Sequence, residues 1–257
     1  MRRRRYSMGA LWLMMGLIGV LALAGCGAAT STGGAPPAQQ AQLTIAKDGG
    51  LRVTLQMTCP SGVPCALSSV AQREVSALQT RARVGLGVPS ASVAQLGAMR
   101  IQVDLPGYTN QQVGAQALGA QGMVRFIDTS GASLDVGAVV GADQYPTLFT
   151  SSQIDPASVG AHLDQQSQPV VVFAFKGVAA SQFAQYTGSH IGDYLTITQD
   201  NTVIESATIQ SQISGQGQIT GIKTLADAQV LAADLRSTPL PMPVTVVSAQ
   251  VLSPGGK

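Results

Sequence analysis

Three cysteines and two histidines are the side chains of this 257-residue chain best suited to nucleophilic or metal chemistry, and their spacing separates them. Cys26 follows a run of four arginines, Arg2 to Arg5, and an apolar stretch, Met8 to Ala24, broken only by Gly9, Gly16 and Gly19. That basic-then-apolar layout ending in small residues is a secretory signal. Cys59 and Cys65 flank Pro60, Gly62 and Pro64, which mark a tight loop. An even cysteine pair outside the cytoplasm favours a disulfide. A metal site would need more ligands, and His162 and His190 lie in polar, loop-like sequence without a partner at ligand spacing. Both read as surface histidines. The thirteen carboxylates are scattered, and none is paired for acid–base work. HExxH, GxSxG and GxxxxGK[ST] are all missing; Gly215 to Gly221 is not a GxGxxG and reads as a loop. Asp200-Asn201 lacks the ladder of oxygens that calcium requires and reads as a turn. No catalytic residue, metal ligand or cofactor is therefore assigned. The residues point to a binding or structural module.

Leu23-Ala24-Gly25-Cys26 resembles the lipobox of bacterial lipoprotein precursors. The resemblance implies a signal peptide over 1–25 and lipid, palmitate among its acyl chains, on Cys26. It also implies a protein held at the extracytoplasmic face of the cell membrane. An uncleaved anchor is the rival, but Met8 to Ala24 is seventeen residues, short of the roughly 20 a spanning helix needs. Two or more acyl chains, at about 0.8 kcal/mol per buried methylene, suffice for stable attachment. Cleavage would remove four of fifteen basic residues and no acid, leaving eleven against thirteen. With no basic patch left, nucleic acid is excluded as a partner. Residues 26–46 form the lipidated cysteine and a linker. Gly27 to Gln42 is uncharged Ala, Gly, Ser, Thr, Pro and Gln, a coil of roughly 20–24 Å end to end.

The elements beyond the linker follow from periodicity. Leu43–Ala46 reads as a strand, as does Leu51–Met57, which alternates Leu51, Val53, Leu55 and Met57. Ser68 to Arg83 reads as a helix. Met99 to Leu105 alternates and stops at Pro106-Gly107. Asn110 caps a helix through Leu118, and a strand follows at Met123 to Asp128. Within the polar stretch Thr129 to Gln168, short strands are expected near Ser133–Val140 and Pro146–Thr150. Pro169 to Phe175 is an apolar strand, Val178 to Thr187 a helix, and Tyr194–Thr198 with Val203–Ile209 a hairpin about Asp200-Asn201. Thr224 to Arg236 is helical, Pro239 and Pro241 end it, and Val244 to Leu252 closes the chain as a strand. Short alternating strands and helices of this kind make an α+β fold.

Five stretches in order resemble the extracytoplasmic region of the SecD family of protein-export subunits. They are Asp48-Gly49-Gly50-Leu51-Arg52-Val53; Leu86-Gly87-Val88 with Arg100-Ile101-Gln102-Val103-Asp104-Leu105-Pro106-Gly107; Gln168 to Phe173 with the Phe183 helix; Tyr194 to Ile209 with Gly215 to Gly221; and Ala228 to Pro243. The family's Arg-Val-Asn before LGV is only partly reproduced by Arg81-Ala82-Arg83-Val84. The resemblance implies the family's first periplasmic domain: a ferredoxin-like base over 47–120 and 215–257 with an inserted α+β head over 121–214. It also implies a lipoprotein without the membrane bundle, since the family continues into membrane helices where this sequence reaches Lys257. In that case no intramembrane ionisable group would couple protons to movement.

The function so implied is non-enzymatic. A lipid-anchored module would contact unfolded secretory polypeptide or the Sec translocon, with Phe126, Phe173, Phe175 and Phe183 as the residues meeting polypeptide, and core packing the expected job for at least half of them. The alternative is an envelope scaffold or ligand-binding lipoprotein that reuses the fold.

Overall fold

A computed structural model of the protein describes residues 45–59 and 68–255. The base sheet grows from β1 (Gly50–Met57), whose Leu51, Val53, Leu55 and Met57 are all buried while the residues between them are half-buried. β3 (Arg100–Pro106) pairs with one side of β1 and β11 (Val244–Leu252) with the other, and β2 (Ser92–Leu96) pairs with β3. All pairings are antiparallel, giving the order β11-β1-β3-β2. Counted among these four strands, that is 4-1-3-2, the ferredoxin-like βαββαβ arrangement. α1 (Ser68–Thr80) covers the sheet through Ala71, Ala77 and Leu78. α2 (Gln111–Gly119) begins where the Asn110 side chain accepts a hydrogen bond from the Val113 amide, as the capping signal predicts.

Between α2 and β11, largely in the region that the SecD resemblance assigns to the head, the chain builds two further sheets. One has the order β5-β4-β8-β9, from β4 (Val124–Asp128), β5 (Thr147–Thr150), β8 (Tyr194–Gln199) and β9 (Thr202–Thr208). The other has the order β10-β7-β6, from β6 (Gly160–Leu163), β7 (Pro169–Ala174) and β10 (Gln216–Ile219). α3 (Val178–Ser189) packs Phe183 into the core between them. The β8–β9 turn has Asp200 at φ 49° and Asn201 at φ 68°, the left-handed pair that a two-residue hairpin needs.

α4 (Leu225–Arg236) joins the two halves. Ala228, Leu231, Ala232 and Leu235 belong to the head core, while Val230 and Ala233 pack on Val113 and Ala117 of α2. The stretch 215–257 is thus divided: β10 and much of α4 serve the head, and β11 serves the base. Residues 45–48 are helical, not a strand, with the Gly49 amide donating to the Ile45 carbonyl at 2.9 Å; Leu43 and Thr44 lie outside the described residues. Ser133–Val140 forms no strand beyond one bridge from Val139 to Thr202. Its Leu134 and Ala138 instead pack against Ile127 and Val203.

Candidate functional site

β9 and β10 are edge strands of different sheets, consecutive in the chain and not hydrogen-bonded to each other. The 137–140 segment already takes the start of the β9 edge, Val203 donating to the Ala138 carbonyl (2.9 Å) and accepting from the Gly137 amide (2.8 Å), so β9 is open only beyond Val203. An open edge offers free amides and carbonyls to an added strand. Between them lies an apolar pocket of about 100 Å³, bordered by Phe173, Phe183, Leu195, Ile197, Ala207 and Gln218 among others. That is far below the roughly 300–1,000 Å³ of small-molecule sites and suits a single side chain. Gly217 shapes it: a Cβ there would stand 2.5 Å from Cζ of Phe173, so only glycine lets the ring lie against the β10 backbone. On the other face of β10 an open groove of about 580 Å³ runs past Ser158, Val172, Phe173 and Gln216.

One charged group stands at this pocket. Glu205 of β9 is half-buried, and its Oε1 accepts from both the amide (3.2 Å) and the hydroxyl (2.8 Å) of Thr220. Burial raises its pKa above the usual carboxylate value, and the two Thr220 hydrogen bonds oppose that rise.

The four phenylalanines expected to meet polypeptide divide differently. All are buried: Phe126 at 0%, Phe173 at 4%, Phe175 at 5% and Phe183 at 1% exposure. With Phe149 they form one cluster, Phe126 lying 5.4 Å from Phe173 and 5.2 Å from Phe175, and Phe175 4.7 Å from Phe183. Phe126 and Phe175 are therefore core residues and offer no contact surface, because each strand turns its aromatic side inward to fill the space between the two sheets. Phe173 and Phe183 are equally core, yet they also floor the pocket. Cys59 is disulfide-bonded; Cys65, its expected partner, and Cys26 lie outside the described residues. His162 is exposed on β6, and His190 follows α3 with Nδ1 2.8 Å from the Tyr186 carbonyl. Among the described residues no group of three metal-ligating side chains converges.

Sequence reasoning missed the polar node at the head–base junction. Arg81 is fully buried at the start of a π-turn, Arg81–Gly85, that follows α1. Its guanidinium donates to the carbonyls of Ala117 (3.1 Å) and Ala120 at the end of α2, and to Gln121 (3.0 Å) where the chain enters the head. It also donates to Thr238 (3.2 Å) and the Ser237 hydroxyl (3.3 Å), where the chain leaves. One cation thus caps the C-terminus of α2 and lies beside that of α4, the dipole end that favours it. Asp234 of α4 faces it at 3.8 Å and accepts from Gln199 of β8 at 2.6 Å. At Gly122, φ +74°, a Cβ would collide with both Arg81 and Asp234, so glycine is required there. The available signal was a charge on the apolar side of each helix: Arg81 one turn after Leu78, Asp234 beside Leu235.

These features define a ferredoxin-like α+β base with an inserted head, in which β10 and the open end of β9 flank an aromatic-floored pocket. Residues 139–242 match the family described as SecDF, P1 head subdomain. Over 207 residues the chain is 31% identical to protein translocase subunit SecD of Dictyoglomus turgidum, covering 80% of this chain and 47% of that one. Over 187 residues it is 30% identical to SecD of Aquifex aeolicus, covering 66% and 37%. These matches support the SecD family for the chain, which spans half or less of the length of these relatives. Among solved structures, SecDF in its super-membrane-facing form superposes with a TM-score of 0.62 at 22% identity, over 85% of this chain and 34% of that one. A second, a structure of the membrane component SecDF that enhances protein export, gives 0.57 at 24%, over 77% and 98%. Both likenesses are of fold. Among the described residues no helix is long and apolar enough to cross a membrane.

Proposed function

We propose that the protein is a lipid-anchored, extracytoplasmic SecD-like module that assists Sec-dependent export by holding translocating polypeptide at its head. The observation that carries this reading is the pocket between β9 and β10, within the segment matching the SecDF P1 head subdomain. An extended chain lying along either edge would gain main-chain hydrogen bonds irrespective of sequence, and one side chain in two would turn toward Phe173 and Phe183. Weak, sequence-tolerant contact of this kind hinders backsliding without trapping the client. SecD of the relatives is a translocase subunit, which makes the translocon the natural partner. The pairing of Cys59 with Cys65 belongs to the same proposal and would brace the loop before α1.

Purified protein should bind a reduced, carboxymethylated and hence permanently extended polypeptide, read by fluorescence anisotropy. Ala207→Trp covers the pocket from an exposed position on β9 and should weaken binding at least fivefold with an unchanged melting temperature. Undiminished binding by that variant would remove the pocket from the account. For the anchor, Cys26→Ser should move the protein from the membrane to the soluble fraction. A variant that stays membrane-bound contradicts lipid attachment at that residue.

A further inference from the structure

Resting on the reading of the β9–β10 pocket as a polypeptide site, we infer that Glu205 selects for segments in which a basic residue adjoins an apolar one. Glu205 is the sole ionisable residue bordering the pocket; its neighbours there are Phe, Leu, Ile, Ala, Thr, Gly and Gln. No lysine, arginine or histidine forms an ion pair with it among the described residues. Its Oε1 is engaged by Thr220, whereas Oε2 accepts no hydrogen bond there and is not buried. Partial burial takes some of this charge out of water, and a cationic partner would offset that cost. The Thr220 bonds hold this one in place and leave an acceptor beside an apolar cavity.

The occupant that completes the site has two parts. A single apolar side chain fills about 100 Å³ over Phe173 and Phe183. A lysine or arginine reaches Oε2, where a charge-assisted hydrogen bond forms in partly desolvated surroundings. In an extended segment neighbouring side chains point to opposite faces. The long, flexible stem of lysine or arginine allows its head to curl back over the strand edge to the carboxylate. An acidic residue at the same place would meet Glu205 as a like charge, and such segments are disfavoured.

The test uses two labelled peptides of about eight residues, alternating Thr and Val around one Leu-Lys step, the second with norleucine for lysine. Anisotropy titration against the full protein should show the lysine peptide binding about tenfold tighter. Glu205→Gln keeps an acceptor for Thr220 and should reduce the lysine peptide to the norleucine level, with the melting temperature unchanged. Equal affinity of the two peptides for the unaltered protein overturns the role of Glu205 while leaving polypeptide capture standing. A lysine preference that survives in Glu205→Gln overturns it too. Failure of both peptides to bind the unaltered protein overturns the capture reading and this inference with it.

Discussion

Arg81→Ala is expected to destabilise the domain by about 3–5 kcal/mol, the range for removing one partner of a buried ion pair, and to lower the thermal midpoint by roughly 6–20 °C. The size of the effect follows from what the guanidinium holds. It satisfies carbonyls at the end of α2 and at both crossings of the chain between base and head, and donates to the hydroxyl of Ser237, the C-cap of α4. The Leu240 amide donates to the Gln121 carbonyl at 2.8 Å, fastening the two crossings together. Without Arg81 the Gln121 carbonyl keeps only the Leu240 amide, the other carbonyls lose the guanidinium as donor, and Asp234 loses its cation. Arg81→Lys should recover only part of the loss, since one ammonium cannot replace a planar fork bound on several sides.

The pH dependence of this node has a definite sign. Burial pushes the Asp234 carboxyl up to about 6 from 3.8, against the pull of Arg81 and the Gln199 hydrogen bond. The folded protein therefore holds this proton more tightly than the unfolded chain. The associated stability is fully present below about pH 4 and is lost as pH rises through 6; the gap corresponds to about 3 kcal/mol at most. Asp234→Asn should remove that fall, seen as a flatter curve of urea-unfolding free energy between pH 4 and 7. The deficit of Arg81→Ala should shrink over the same range as pH is lowered, because a neutral Asp234 no longer needs the cation. A deficit that grows on acidification contradicts the arrangement.

Phe126→Ala should cost about 3–5 kcal/mol in urea unfolding followed by circular dichroism. The ring is wholly buried and touches three others, with centroids at 5.4 Å to Phe173, 5.2 Å to Phe175 and 6.4 Å to Phe183. Tilted and edge-on aromatic pairs add about 0.5–1.5 kcal/mol each beyond burial, and two packed sheets cannot close over the void. Phe126→Leu, which retains most of the volume, should lose less than half as much. A loss below about 1 kcal/mol for the alanine variant would mean that Phe126 is not in the core.

Elements whose apolar residues alternate or recur at helical spacing were legible in the sequence: β1, β3, the β8–β9 hairpin, α2 with its Asn110 cap and α4, although Thr224, read as helical, is its N-cap. β2, β6 and β10 were not, because short edge strands carry little periodicity. β10 reads Gln-Gly-Gln-Ile and exists through pairing with β7 and through the closeness that Gly217 allows to Phe173. The aromatic residues were recognised by type, but burial depends on how two separate sheets face each other, which no local pattern states. Arg81 and Asp234 were hidden for the same reason: their partners are 35 to 157 positions away in the chain. Besides the charges among apolar helix positions, a local trace was the irregular Arg-Ala-Arg-Val stretch, which begins a π-turn, a feature frequent at functional sites.

The most direct test of polypeptide capture is photocrosslinking in membranes engaged in protein export, from probes at Ala207 and Gln218, which are exposed beside the pocket. Gln182, exposed on α3, serves as a reference position. The account predicts crosslinks from Ala207 and Gln218 to secretory chains in transit, lost when export is blocked and weaker from Gln182. Crosslinks only to resident envelope components, unchanged by the block, would contradict it and show the fold at work as a scaffold.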